Sequence, residues 1–156
     1  MELNFPNDEP LFPIRTAAKI LGISVHTIRM YEKEKLIIPF KKENGQRYYS
    51  KADLDRLVCI RKAINEDKIS INGIKTIFSF TPCWQIVGCN ETTDRCKAFE
   101  EHSKPCWALK HEHNYCSDRN CRECIVYKNY GDCGIIKAKL KDLTRVYSKM
   151  INLTYY

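Results

Sequence analysis

No run of apolar residues in this 156-residue chain approaches the ~18 that a membrane-spanning helix needs. Met1 to Pro13 carries Glu2, Asp8 and Glu9 but no basic cluster and no long apolar stretch, so it does not have the make-up of a signal peptide. The expectation is a cytoplasmic protein with no membrane partner. No Ser/His/Asp set, glycine-rich phosphate loop or paired acid site is evident. The single CxxC pair, Cys121 and Cys124, lacks the βαβ context of a thiol oxidoreductase, so the chain is not expected to be an enzyme. Apolar content of 44% and charged content of 29% are those of a globular chain, not a disordered one.

What is present is uneven. The formal net charge is +7, and residues 13–80 supply it, with fourteen Lys/Arg against seven Asp/Glu. Such a basic stretch can neutralise phosphates and release counterions, or simply keep a surface solvated. Cysteine is concentrated instead towards the C-terminus. Of nine, Cys59 stands alone in a helical stretch and eight fall between Cys83 and Cys133. That density in a reducing compartment points to metal or redox chemistry.

Along the chain, residues 1–12 read as a loose arm. Thr16 can cap a short helix from Ala17 to Leu21, ended by Gly22 in a left-handed turn. Ser24 can cap a second helix, Val25 to about Lys33. Two short helices across a tight turn make a helix-turn-helix, with Ala17, Ala18, Leu21, Ile23 and Ile28 at the contact. Lys41 to Tyr49 reads as a β-hairpin around Asn44-Gly45, basic at its flanks and placed as a wing. Ser50 and Asp53 resemble a capping box opening a third helix, whose Leu57, Ile60 and Ile64 form an apolar stripe. Cys59 is expected to pack there as a small hydrophobe. A fourth helix, about Asn72 to Phe80, precedes Pro82.

A helix-turn-helix places the N-terminal side chains of its second helix against base edges in the major groove. The candidates to contact DNA are therefore Ser24, Val25, His26 and Thr27, with Arg29 and Tyr31 one turn further, Thr16 on the first helix, and Lys41, Arg47 and Tyr48 on the wing. The sequence FPIRTAAKILGISVHTIRMYEKEKLI followed by NGQRYYSKADLDRL, from Phe12 on, resembles the MerR family of transcription regulators, in particular its heat-shock-repressor and glutamine-regulator branches. The resemblance implies a winged helix-turn-helix that binds a promoter inverted repeat as a homodimer, with Arg29, Tyr31 and Arg47 on phosphate. RNA polymerase at the promoter is a further candidate partner. Two departures stand out: Met30 replaces the usual aromatic, and Lys35 replaces a common glycine.

Residues 83–133 show no helical or strand period and need staples to fold. Cys83, Cys89, Cys96, Cys106, Cys116, Cys121, Cys124 and Cys133 are the candidate metal ligands, with His111 and His113 between two of them. One tight CxxC where a zinc module normally has two leaves zinc and an iron–sulfur cluster both open. A metal-free thiol–disulfide switch is a third reading. The echo of PCWQI in PCWAL, with Gly88-Cys89, CKAF, Cys116 and CRECIVY, resembles the bacterial two-CW module over Pro82 to Tyr127. Trp84 and Trp107 are expected to serve as its few large core residues.

From Gly134, residues Ile136, Leu140, Leu143, Tyr147 and Met150 are spaced 4, 3, 4, 3, the rhythm of a coiled-coil seam. The expected fold is thus mainly α. A flexible arm (1–12) leads to a winged helix-turn-helix head (13–81) with a small hairpin wing. An irregular cysteine-rich metal module (82–133) and a dimerisation helix (134–156) follow. The expected function is a dimeric DNA-binding transcription regulator whose cysteines hold metal and sense redox or metal state. The alternative is an excisionase-like or architectural DNA-binding protein with a purely structural metal staple.

Overall fold

The computed structural model describes residues 6–89, 96–109 and 116–129. The expected dimer helix at 134–156, Cys133, His111 and His113 lie outside the described residues. The described residues are mainly helical, with one small antiparallel sheet. Among them no helix is long and apolar enough to cross a membrane.

The chain enters through β1 (Phe12–Pro13), which pairs with β3 (Arg47–Tyr49), as does β2 (Phe40–Lys41), in the order β1-β3-β2. Phe12 lies opposite Tyr49 and Phe40 opposite Tyr48. The arm is therefore tied to the rest of the fold before residue 13: Asn7 O accepts from Ala52 N–H (3.0 Å), and Asp8 pairs with Lys128 (3.0 Å). The β1 pairing also moves the start of the first helix. It runs as α1 (Ile14–Leu21) directly from Pro13, whose ring holds φ at −58° at the N-cap position. Thr16 is thus an exposed residue inside α1, not its cap.

Gly22 sits at φ 61°, ψ 37° and ends α1 in the left-handed turn that a Cβ would disfavour. The second helix, α2 (Val25–Lys33), starts at Ser24, whose Oγ accepts from Thr27 N–H (3.0 Å). Arg61 Nη1 donates to Leu21 O (2.7 Å), fixing the turn against the third helix. In the hairpin, Gly45 at φ 77° and Asn44 Oδ1, accepting from Gln46 N–H (3.0 Å), make the turn. The third helix, α3 (Lys51–Asn65), has the full capping box: Asp53 N–H donates to Ser50 Oγ (3.2 Å) and Ser50 N–H to Asp53 Oδ2 (2.8 Å). The fourth, α4 (Ile71–Ser79), begins one residue earlier than expected, because Ser70 caps it through Gly73 N–H (3.1 Å).

The cysteine-rich segment is built of short turns: α5 (Cys83–Ile86), α6 (Lys97–Glu100), 3-10 turns at Cys106–Ala108 and Cys121–Glu123, and α7 (Ile125–Asn129). It adds to the core of the head. Ala17, Ile28, Tyr31, Leu36, Tyr49, Leu57, Ile60 and Phe78 form one buried cluster with Trp107, Val126 and Tyr127. The Trp107 ring lies 5.4 Å from both Phe78 and Tyr127, edge-on to the latter. Trp107 thus serves as a core residue of both parts, while Trp84 stacks edge-on against Phe99 at 4.8 Å.

Polar contacts lock the same seam. Arg122 grips Asp53 with both nitrogens (2.6 and 3.2 Å) and also donates to Ile38 O. Tyr127 Oη accepts from Ile38 N–H (2.6 Å), and Trp107 Nε1–H donates to Lys35 O (2.8 Å). Arg56 donates to Tyr127 O and lies 3.7 Å from the Tyr127 ring centroid. Asp53 and Arg122 are only 4% and 8% exposed, so each needs the other to offset lost hydration.

The expected outcome for Arg122→Ala is a loss of about 3–5 kcal/mol in urea unfolding, since it strands a buried carboxylate. Ser50→Ala removes one cap bond and is expected to cost only about 1 kcal/mol. Equal effects would contradict the seam described.

Candidate DNA-binding surface and cysteine cluster

The face of α2 is set by which of its residues the core takes. Ile28 and Tyr31 are buried, Val25 and Met30 are half-buried against the core, and His26 and Arg29 are exposed. Ser24 and Thr27 bond to each other through their hydroxyls (2.9 Å), so both serve the helix cap as well as presenting oxygen at its N-terminus. Tyr31 is 5% exposed and packs in the core; burial pushes its phenol pKa up. That leaves it little surface for a phosphate.

On the wing, Lys41 and Lys42 are exposed, and Lys42 Nζ lies 4.1 Å over the Tyr48 ring. Arg47 is not simply presented to solvent. Its Nε donates to Glu32 on α2 (2.6 Å), and Tyr49 Oη donates to the other oxygen of the same carboxylate. Glu32 thereby ties the wing to the second helix through a guanidinium and a buried phenol. Burial first, and Glu32 second, push the Tyr49 pKa far up, so it stays a donor. Sequence reasoning missed Glu32. The signal that could have found it was an acid on the helix face opposite the basic wing.

The cysteines converge more closely than their spacing suggests. A cavity of about 30 Å³, room for one or two water molecules, is lined by Cys83, Cys89, Cys96, Cys106, Cys116 and Cys124 together with Trp84, Val87, Phe99 and Val126. Cys121 is outside this lining, although it acts electrostatically on Cys106. Cys59 is remote from it, half-buried on α3 in a groove with Asp55, Arg56 and Tyr127. Cys106 and Cys83 hydrogen-bond through sulfur. That bond lowers the Cys83 pKa and raises that of Cys106, which burial raises further. Burial likewise pushes Cys116 to about 11. A set of thiols around an apolar cavity suits a thiophilic ion by its chemistry. In the arrangement seen, however, no three His, Cys, Asp or Glu side chains among the described residues form an ion-holding group.

The head matches the family described as MerR HTH family regulatory protein over residues 12–81. Residues 12–81 are a MerR-family helix-turn-helix domain. This MerR-type head is similar to the HTH-type transcriptional regulator TnrA of Bacillus subtilis, 42% identical over 53 residues, which is 34% of this chain and 48% of TnrA. It is similar to the HTH-type transcriptional regulator GlnR of Bacillus anthracis, 31% identical over 68 residues, 44% of this chain and 52% of GlnR. A longer likeness, 29% identical over 121 residues, is to the "Probable heavy metal-dependent transcriptional regulator" of Haemophilus influenzae, covering 72% of this chain and 94% of that protein. The chain spans about half the length of TnrA and GlnR.

Glu32→Ala is expected to destabilise the protein by about 1–3 kcal/mol, because it strands the buried Tyr49 hydroxyl. Glu32→Gln, which can still accept from Tyr49, should cost less. Thermal unfolding of the two variants orders them; a milder Ala variant would refute the clamp.

Proposed function

We propose that this protein is a DNA-binding transcription regulator that recognises a promoter inverted repeat as a homodimer. The observation that carries this reading is the MerR-type head with α2 and the wing joined by Glu32. In this reading the first turn of α2, Ser24 to Thr27, enters the major groove, with His26 the exposed candidate for base contact. Arg29, Lys41 and Tyr48 hold phosphates, and Thr16 approaches the backbone from α1. Arg47 contributes from the wing while bonded to Glu32, and Tyr31 supports the face from within. Dimerisation is assigned to the heptad-spaced residues of 134–156, and contact with RNA polymerase would follow from promoter binding.

The cysteine-rich segment, 82–133, is proposed to hold metal through the thiols lining the small cavity, with Cys121 beyond that lining and Cys133, outside the described residues, as further candidates. The heavy-metal-dependent regulator of Haemophilus influenzae supports a metal-responsive role. Zinc or an iron–sulfur cluster, when bound, would supply a strong cross-link between turns that share little core of their own. The thiols themselves provide a soft, water-poor lining, and the Trp107 and Arg122 contacts connect that lining to the head.

Selection from fragmented genomic DNA, followed by footprinting, tests the DNA reading. The expected result is a protected palindrome. Arg29→Ala should weaken binding about tenfold on specific and random duplexes alike and reduce the salt slope by about one. No preference for any fragment over random duplex would overturn the reading.

Anaerobic purification with assays of iron, sulfide and zinc tests the metal. A brown protein with acid-labile sulfide supports a cluster, and a colourless zinc protein the single ion. Chelator should lower its melting temperature in either case. Absence of both metals after supply of each to the reduced protein defeats the metal reading.

A further inference from the structure

We propose that Cys83 and Cys106 form a redox-sensitive pair whose oxidation to a disulfide loosens the end of the recognition helix through Trp107. The inference goes beyond the DNA reading and concerns the reduced, metal-free thiols, since a metal held by the same cavity would occupy both sulfurs. The two sulfurs already contact each other by a thiol hydrogen bond. Both residues are half-buried and line the same apolar cavity. Each opens a short helical turn, after Pro82 and Pro105 respectively.

The oxidant proposed is a peroxide. Cys83 thiolate attacks one peroxide oxygen, the O–O bond breaks, and hydroxide leaves, giving a sulfenic acid at Cys83. The Cys106 sulfur then attacks Cys83 sulfur, its proton leaves with the displaced oxygen, and water is released. Two thiols and one hydrogen peroxide give one disulfide and two waters.

Bond formation draws the sulfurs from hydrogen-bonding contact to about 2.05 Å. Residue 107 follows directly. Its indole N–H holds Lys35 O, and its ring lies between Phe78 and Tyr127. Lys35 is the residue just beyond the C-cap of α2 and has φ 61°, a conformation that favours glycine. A displaced indole therefore releases a strained turn at the base of the recognition helix, with Leu36 and Ile37 next in the buried core.

The test uses the full chain, reduced with a phosphine, stripped by chelator and treated with one equivalent of hydrogen peroxide. Non-reducing peptide mass spectrometry is expected to find the Cys83–Cys106 cross-link as the first disulfide. Hydrogen exchange at residues 35–38 is expected to rise about tenfold, the effect of losing one hydrogen bond, and to revert on reduction. Cys83→Ser should abolish both changes. Trp107→Phe, which lacks the N–H, should form the cross-link but show fast exchange before and after. A first disulfide between other cysteines overturns the proposal. So does a Cys83–Cys106 bond that leaves exchange at 35–38 unchanged in the wild-type chain.

Discussion

The structure turns on the carboxylate of Asp53. It closes the capping box of α3, which fixes where the longest described helix begins. The capping oxygen Oδ2 and its neighbour Oδ1 also take the two terminal nitrogens of Arg122, sixty-nine residues away in sequence. A buried carboxylate with that many donors is well satisfied; with any fewer it is costly. The head and the cysteine-rich segment are consequently not two bodies on a tether. Arg122 reaches past Asp53 to Ile38 O, so a single guanidinium joins α3, the loop leading into the wing, and the cysteine-bearing turn.

This explains how the segment from residue 82 onward can fold around so little apolar material. Its described turns are three to five residues long, below the length at which helices hold themselves together in water. Instead it places Trp107, Val126 and Tyr127 into a core that α1 to α4 already supply. Six cysteines gather around a space of about 30 Å³ that Val126 also lines. Stability and thiol chemistry thus share the same turns, with Val126 in both the core and the cavity wall.

Legibility in the sequence followed the range of the interaction. The Ser24 cap, the left-handed Gly22, the Asn44-Gly45 turn and the Ser50–Asp53 box are all decided within a few residues, and all could be read in advance. The start of α1 could not, because it depends on β1 pairing with a strand more than thirty residues later. The same limit applied to the candidate site. Tyr31 and Arg47 carry the right chemistry for phosphate, yet the fold uses one in the core and pairs the other with Glu32. Cysteine spacing suggested metal chemistry, but not which sulfurs share a cavity or that Cys121 stands outside its lining, since turn packing decides both.

Lys35 shows how these levels meet. A lysine at φ 61° costs about 1 kcal/mol that glycine at the same place avoids. The conformation persists because its neighbours over-determine it: Leu36 N–H bonds Tyr31 O (3.0 Å), Leu36 and Ile37 are buried, and the carbonyl of Lys35 receives the Trp107 indole. Two of these constraints belong to the head and one to the cysteine-rich segment. The turn that ends α2 is thus held partly by a residue adjacent in sequence to a cavity-lining cysteine. A change at Cys106 therefore has a short route to α2 through Trp107, itself a member of the shared core.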